Sequence, residues 1–295
     1  MARMHAGEVD IDAELVRRLL DAQFPDWAEL PIREVRSTGT VNAIYRMGDD
    51  LYVRLPRVRD WADDLANEAH WLPRLAPLLP LSVPEPLAVG TPAAGYPFQW
   101  AVYRWLHGRT YAADLVPDEH QAARDLAGFV RALRGIRLDG APRSRRDRPL
   151  PLQDEGARTA IAALGPAYDG PAVTAAWEGA LAAPAWDGKP EWSHGDLLPP
   201  NLLVRDGRLT AVIDFGSIGV GDPAVDVIAA WCVFGPAGRE TFRTALDVDD
   251  ATWARARGLA LHKALLIIPY YVETNPGFVE MATRTIDQVL ADLDR

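Results

Sequence analysis

The chain has 295 residues, of which 48% are hydrophobic and 24% charged, a globular composition that excludes a mostly disordered chain and allows one large or two modest domains. Lys and Arg number 31 against 41 Asp and Glu, and the resulting net charge of −10 argues against nucleic acid or an anionic membrane as partner. The single cysteine, Cys232, excludes an internal disulfide and a Cys-rich zinc site and points to a reduced, cytoplasmic setting.

In chain order, residues 1–10 carry Arg3, Glu8 and Asp10 and do not read as a targeting segment. Residues 10–24 predict an amphipathic helix with Ile11, Leu15, Leu19 and Leu20 on one side. Two β-rich runs, 41–47 and 51–55, flank a Gly48-Asp49-Asp50 turn and predict a hairpin. A helix is expected over 62–72, with Asp63 and Asp64 favourable in its first turn, then strands near 87–89 and over 98–105. From about residue 111 the periodicity turns helical, with helices expected over 118–133, 156–164, 171–182, 222–234, 238–246, 250–267 and 278–293. The Arg-, Pro- and Asp-rich stretch 139–155, including Arg143-Ser-Arg-Arg-Asp-Arg148, reads as an exposed loop, with a basic functional patch as the alternative. The longest apolar stretch, 259–272, is interrupted by His262, Lys263 and Pro269 and is too short and too polar to span a bilayer. The expected architecture is α+β: a small β-rich N-terminal lobe over 1–104, a join about 100–110, and a larger, mainly helical lobe over 105–295.

The most informative stretch is Trp192-Ser-His-Gly-Asp-Leu-Leu-Pro-Pro-Asn-Leu-Leu-Val204, followed by Leu209-Thr-Ala-Val-Ile-Asp-Phe-Gly216. Asp206-Gly207 predicts a tight turn between two apolar strands. That hairpin sets Asp196 and Asn201 before its first strand and Asp214 at the end of its second, so three polar side chains can converge at one rim. The set suits phosphoryl transfer. One carboxylate orients a hydroxyl, while an amide oxygen and a second carboxylate hold Mg²⁺ against nucleotide phosphates. The spacing matches the protein-kinase signatures, His-Arg-Asp with Asn five residues after the Asp and then Asp-Phe-Gly, with Gly195 in place of the Arg.

This His-Gly-Asp version resembles the aminoglycoside phosphotransferase family of small-molecule kinases. The likeness runs on through Asp214-Phe-Gly-Ser-Ile-Gly-Val-Gly-Asp-Pro-Ala-Val-Asp226 and reaches upstream to Thr40-Val-Asn-Ala-Ile-Tyr-Arg46 and Tyr52-Val-Arg-Leu-Pro-Arg57. It implies a two-lobed, protein-kinase-like fold that moves the γ-phosphoryl of ATP or GTP to a hydroxyl of a small molecule, an aminoglycoside or related antibiotic. A metabolic hydroxyl compound, such as an amino alcohol or sugar derivative, is the alternative acceptor. A nucleotide-binding pseudoenzyme and a metallohydrolase built on His194, Asp196 and Asp214 are the competing classes. By the same likeness Asp196 is the catalytic carboxylate and Asn201 and Asp214 are the Mg²⁺ ligands, while His194 and Asp226 support the loop. The family often has His two places after the catalytic Asp, where this chain has Leu198.

The chain's only lysines are Lys189 and Lys263, so the cation that pairs with phosphates in the first lobe cannot be a lysine. Arg54 stands at the matching strand position and Glu68 is its expected partner; the bland readings are an exposed strand charge and a solvated helix residue. Ser37 and Thr38 fall in the stretch expected to cover the phosphates, and backbone groups from Arg104 to Leu106 in the join are expected to pair with the nucleotide base. Trp231, Tyr270 and Glu273, with Tyr271 and Asp222, are positional candidates for the acceptor pocket, which would suit a cationic or polyhydroxylated compound. For Trp231 and Tyr270 the competing reading is helix packing.

Overall fold

The computed structural model describes residues 8–35, 41–137 and 139–293. The chain divides into two compact units: Met1–Gly108 with Ala211–Gly216, and Arg109–Thr210 with Ser217–Arg295. The sequence division placed 211–216 with the helical lobe. The structure places it in the first unit because Ala211 bridges Ser82 in parallel and the Val212 N–H donates to the Ser82 carbonyl at 2.9 Å.

The first unit is built on an antiparallel sheet of five strands: β1 (Ile32–Glu34), β2 (Asn42–Met47), β3 (Leu51–Pro56), β4 (Pro86–Gly90) and β5 (Trp100–Arg104), in the order β1-β2-β3-β5-β4. The β2–β3 hairpin pairs Met47 with Leu51 and Ile44 with Arg54, around a turn in which Gly48 takes φ +58°. Alternate β2 residues Ala43, Tyr45 and Met47 are buried, the period-2 pattern of a half-covered strand. Helix α1 (Ala13–Gln23) begins later than its apolar spacing suggests, because Asp12 is its N-cap and accepts from the Leu15 N–H at 2.7 Å. Its Leu15, Val16, Leu19 and Leu20 join Tyr45, Met47, Val53, Leu55 and Val102 in one core, each large side chain contributing about 1.5–3 kcal/mol. A short helix, α2 (Pro25–Ala28), follows, and α3 (Ala62–Leu75) carries Glu68 on its buried side.

The second unit is mainly helical: α4 (Glu119–Gly135), α5 (Asp154–Ala162), α6 (Gly170–Leu181), α7 (Ala224–Val227), α8 (Ala229–Cys232), α9 (Pro236–Leu246), α10 (Asp250–Tyr271) and α11 (Pro276–Leu293). Asp118, Asp169 and Asp249 cap α4, α6 and α10 through bonds to backbone N–H groups. The single helix expected over 222–234 is two short ones meeting at Ile228. Short strands accompany the helices: β6 (Arg109–Thr110), β7 (Glu191–Ser193), β8 (Leu202–Arg205), β9 (Arg208–Val212) and β10 (Gly219–Gly221). Strands β8 and β9 form the expected hairpin, with Asp206 and Gly207 both at positive φ in its turn. Strand β7 pairs antiparallel with β10, Ser193 opposite Gly219. The 139–155 stretch is more ordered than its composition suggests: Ser144 is buried, and the Ser144 N–H donates to the Val220 carbonyl at 3.1 Å. Among the described residues no helix is long and apolar enough to cross a membrane.

Candidate active site

In the first unit a polar group forms on β3. Arg54, 6% exposed, donates from Nη1 to Glu68 Oε2 at 2.5 Å and from Nη2 to Asp214 Oδ1 at 3.4 Å. Ion pairing and burial thus join the expected Arg54–Glu68 pair to Asp214, which the sequence proposed separately. Asn42, with its amide oxygen turned toward Arg54, accepts from Nε at 3.1 Å and Nη2 at 3.0 Å. Sequence reasoning missed Asn42; its place opposite Pro56 in the β2–β3 register, two pairs along from Arg54's own and so on the same face of the sheet, was the available signal. The Tyr103 hydroxyl donates to Glu68 Oε2 at 3.4 Å, and the Tyr103 ring stacks on Tyr52 at 5.1 Å. Burial works against the Arg54 cation, but Glu68 and then Asp214 outweigh it and hold its pKa well above the ordinary value. For Glu68, burial pushes upward, Arg54 pulls back, and Asp214 pushes upward again, leaving the carboxyl at about 7. Glu68 Oε1 is buried with no hydrogen-bond partner. Asp214 sits at φ +65° with its side chain 43% exposed, so its carboxylate keeps oxygen available beyond the Arg54 contact.

In the second unit a loop between β7 and β8 carries the remaining motif residues. Asp226, fully buried, accepts from the N–H groups of His194 and Gly195, both at 2.8 Å. Gly195 adopts φ +84°, and a Cβ there would stand 3.0 Å from Ser217 Cβ and 3.2 Å from Arg146 Cγ, so this position favours glycine on two counts. His194 accepts at Nδ1 from the Asp196 N–H at 3.1 Å. Asn201 donates through Nδ2 to the Asp196 carbonyl at 2.8 Å and to Asp196 Oδ2 at 3.0 Å, which leaves its amide oxygen as the outward acceptor. Lys263 of α10 donates to Asp196 Oδ1. Burial favours the neutral Asp196 carboxyl, but Lys263, Arg146 and His194 overcome it and hold the pKa down at about 2.

Lys263 and Arg146 were not singled out by the sequence. Arg146 lies in the 139–155 stretch and donates from Nε to Ser217 Oγ at 3.2 Å. The other proposed positions fare unevenly. Ser37 and Thr38 lie outside the described residues. The N–H groups of Arg104 and Trp105 bond to the carbonyls of Glu85 and Asp50, so the backbone donor of this segment that remains for a base is that of Leu106. Trp231 is a correction: it is fully buried, packs on Trp253 at 4.4 Å and donates to Asp292 at 3.3 Å, which leaves no ring face for a ligand. Asp222 is likewise structural, taking Arg255 on both oxygens at 2.7 and 3.1 Å. Tyr270 and Glu273 are exposed at and just beyond the end of α10.

A model of the phosphotransferase enzyme family, APH, matches residues 32–259. A curated relative, the uncharacterized protein YcbJ of Bacillus subtilis, is 27% identical over 221 residues, 69% of this chain and 70% of its own. Among solved structures, the GDP and kanamycin complex of APH(2")-IIia superposes with a TM-score of 0.75 at 20% identity, over 94% of this chain and 98% of that one. The macrolide 2'-phosphotransferase MphH from Brachybacterium faecium superposes with a TM-score of 0.63 at 24% identity, over 92% and 98%. These likenesses establish a protein-kinase-like α+β fold.

Proposed function

The chain belongs to the phosphotransferase enzyme family, and from that premise we propose that it moves the γ-phosphoryl of ATP or GTP to a hydroxyl of a small molecule. The observation that carries the proposal is the Asp196 carboxylate, held ionised on a loop that Asp226 pins by two backbone N–H groups. Asp196 receives the acceptor hydroxyl and aligns its oxygen on the γ-phosphorus. The new O–P bond forms as the bond to the β–γ bridging oxygen breaks. The nucleoside diphosphate departs with that oxygen, and the hydroxyl proton passes to Asp196 and on to solvent. Catalysis is then mostly positioning and charge stabilisation.

Asn201 and Asp214 would hold Mg²⁺. Each offers a hard oxygen that the protein leaves unspent: the Asn201 amide oxygen, because its nitrogen is tied to Asp196, and the half-exposed Asp214 carboxylate. The ion would neutralise phosphate charge as the bond breaks. Arg54, fixed by Glu68 and Asn42, binds the phosphates as a permanent cation. Leu106 supplies a backbone group to the base.

An aminoglycoside or related antibiotic is the acceptor class that the family resemblance favours. A metabolic hydroxyl compound is the second reading, and one observation favours it: Lys263 and Arg146 put positive charge beside Asp196, which repels a polycation. Turnover of Mg·ATP and Mg·GTP across a panel of both classes, with mass detection of added phosphate, tests the proposal. Asp196→Asn should cut turnover by roughly 10³-fold or more with nucleotide affinity unchanged, and Asp214→Ala should weaken Mg·nucleotide binding itself. Nucleotide binding without a phosphorylated product from any compound would mark a binding module instead.

A further inference from the structure

We propose that Lys263 is a positioning residue for phosphoryl transfer: from a helix remote in sequence it clamps the Asp196 carboxylate and sets the face that carboxylate offers to the acceptor hydroxyl. The inference rests on the assignment of Asp196 made above.

Each Asp196 oxygen has its own anchor. Oδ2 accepts from Asn201 at 3.0 Å, but Asn201 also holds the Asp196 carbonyl at 2.8 Å and therefore moves with the loop. Oδ1 accepts from Lys263, 67 residues further along, and this contact ties the carboxylate to a rigid element outside the loop. The terminal torsion of an aspartate is broad, so a single anchor leaves the carboxylate free to rock, whereas two fix its plane.

The support beneath the ammonium is firm. Leu261, Ala264 and Leu265, around Lys263 on α10, are all buried. The lysine side chain is 17% exposed, so its charge has little water. Among the described residues Asp196 is the carboxylate it pairs with; the other polar groups that feel its charge include Cys232 and His262, neither of which is a carboxylate. Leu198, two places after Asp196 and buried, brings no polar atom that could do the same work.

Stability alone explains the pair poorly. Immobilising a lysine costs side-chain entropy, and a buried ion pair gains little over well-packed apolar side chains. What the pair does supply is a carboxylate held in one orientation by an anchor on each oxygen.

The test uses the full-length chain with Mg·ATP and Mg·GTP, reading kcat and KM with water as acceptor, together with amide hydrogen exchange over residues 194–201. Lys263→Met should lower kcat roughly 100-fold with the nucleotide KM within about twofold, since a misplaced catalytic group costs about that much. It should also speed exchange in the 194–201 loop about tenfold, the mark of lost local protection. Lys263→Arg should recover much of both, and ethylammonium should restore part of the kcat of Lys263→Ala. Unchanged loop exchange in Lys263→Met overturns the clamp, as does a kcat within threefold of the wild type. A loss carried equally in KM, or an Arg variant as impaired as the Met variant, shows a merely structural lysine and overturns it too. Asp196→Asn is run alongside. If it turns nucleotide over like the wild type, the phosphotransfer reading fails, and the exchange experiment still judges the clamp.

Discussion

Asp226 is the place where one substitution should separate the loop from its scaffold. Its carboxylate is fully buried and accepts two backbone N–H groups, those of His194 and Gly195, at 2.8 Å each. Asp226→Ala leaves both donors facing an apolar methyl with no water to replace the lost acceptor. An unsatisfied buried donor costs about 1–3 kcal/mol, so the pair costs roughly 4 kcal/mol at the centre of that range. For a unit the size of the second one, each kcal/mol lowers Tm by about 2–4 °C, giving an expected fall of about 8–16 °C. Asp226→Asn keeps one acceptor oxygen and should cost about half as much. Gly195 also loses the partner that holds its left-handed backbone, so the nucleotide turnover of the Ala variant should fall with its stability. Thermal melts of the full chain without nucleotide, followed by circular dichroism, measure the effect. A fall of less than about 3 °C for the Ala variant, under 1 kcal/mol, would refute the reasoning, because it would mean the two N–H groups find other acceptors.

Two further outcomes follow from the same geometry. Arg54→Met removes the cation that Glu68 and Asn42 hold in place and should raise the nucleotide KM about tenfold or more; steady-state kinetics with ATP and GTP check this, and an unchanged KM takes Arg54 out of phosphate binding. His262 stacks on Trp177 at 5.8 Å, and burial, then Arg148 and Lys263, push its pKa down to about 4. A folded value below the unfolded one of about 6.5 means that the unfolded chain binds the extra proton first, so stability is full above pH 6.5 and is lost as the pH falls toward 4. The loss comes to about 2 kcal/mol at pH 5, and His262→Phe, which keeps the ring stack, should melt with less difference between pH 5 and pH 8 than the wild type; equal differences would contradict the assignment.

Local pattern made much of the fold legible. The alternating burial of β2, the turn at Gly48 and the apolar stripe of α1 are each set by neighbours within a few residues, which is the range over which periodicity speaks. The short strands β6, β7 and β10 had no such signal. Residues Gly219–Gly221 form a strand because Ser193 and its neighbours lie opposite, and a Cβ at Gly219 would stand 2.5 Å from the Ser144 nitrogen. That pairing depends on long-range closure, and the sequence of β10 alone carries no trace of it. The same holds for 139–155, whose polar composition suggests a solvated loop while Ser144 is docked on Val220. Trp231 shows the converse case: an aromatic beside a motif can be named as a ligand platform by position, but packing against Trp253 gives it to the core, the competing reading of its sequence.

The same division runs through the site. Trp192–Val204 carries His194, Gly195, Asp196 and Asn201 at the motif's spacing, yet the segment has no Lys or Arg. Burial pushes the Asp196 pKa up, and the segment's own contribution, that of His194, pulls it back less than Lys263 and Arg146 do. The balancing charges therefore have to come from elsewhere in the chain, and they come from Arg146, 50 residues before Asp196, and Lys263, 67 residues after it. The run around Arg146 reads at most as a basic patch and nothing near Lys263 points to Asp196, because the requirement belongs to the folded loop. In the first unit the analogous pair was found, because Arg54 and Glu68 are 14 residues apart on a strand and the helix that follows it, and the absence of any lysine before Lys189 left few candidates. The motif thus supplies the proposed catalytic carboxylate, while its counter-charges come from whichever loop and helix the fold lays against it.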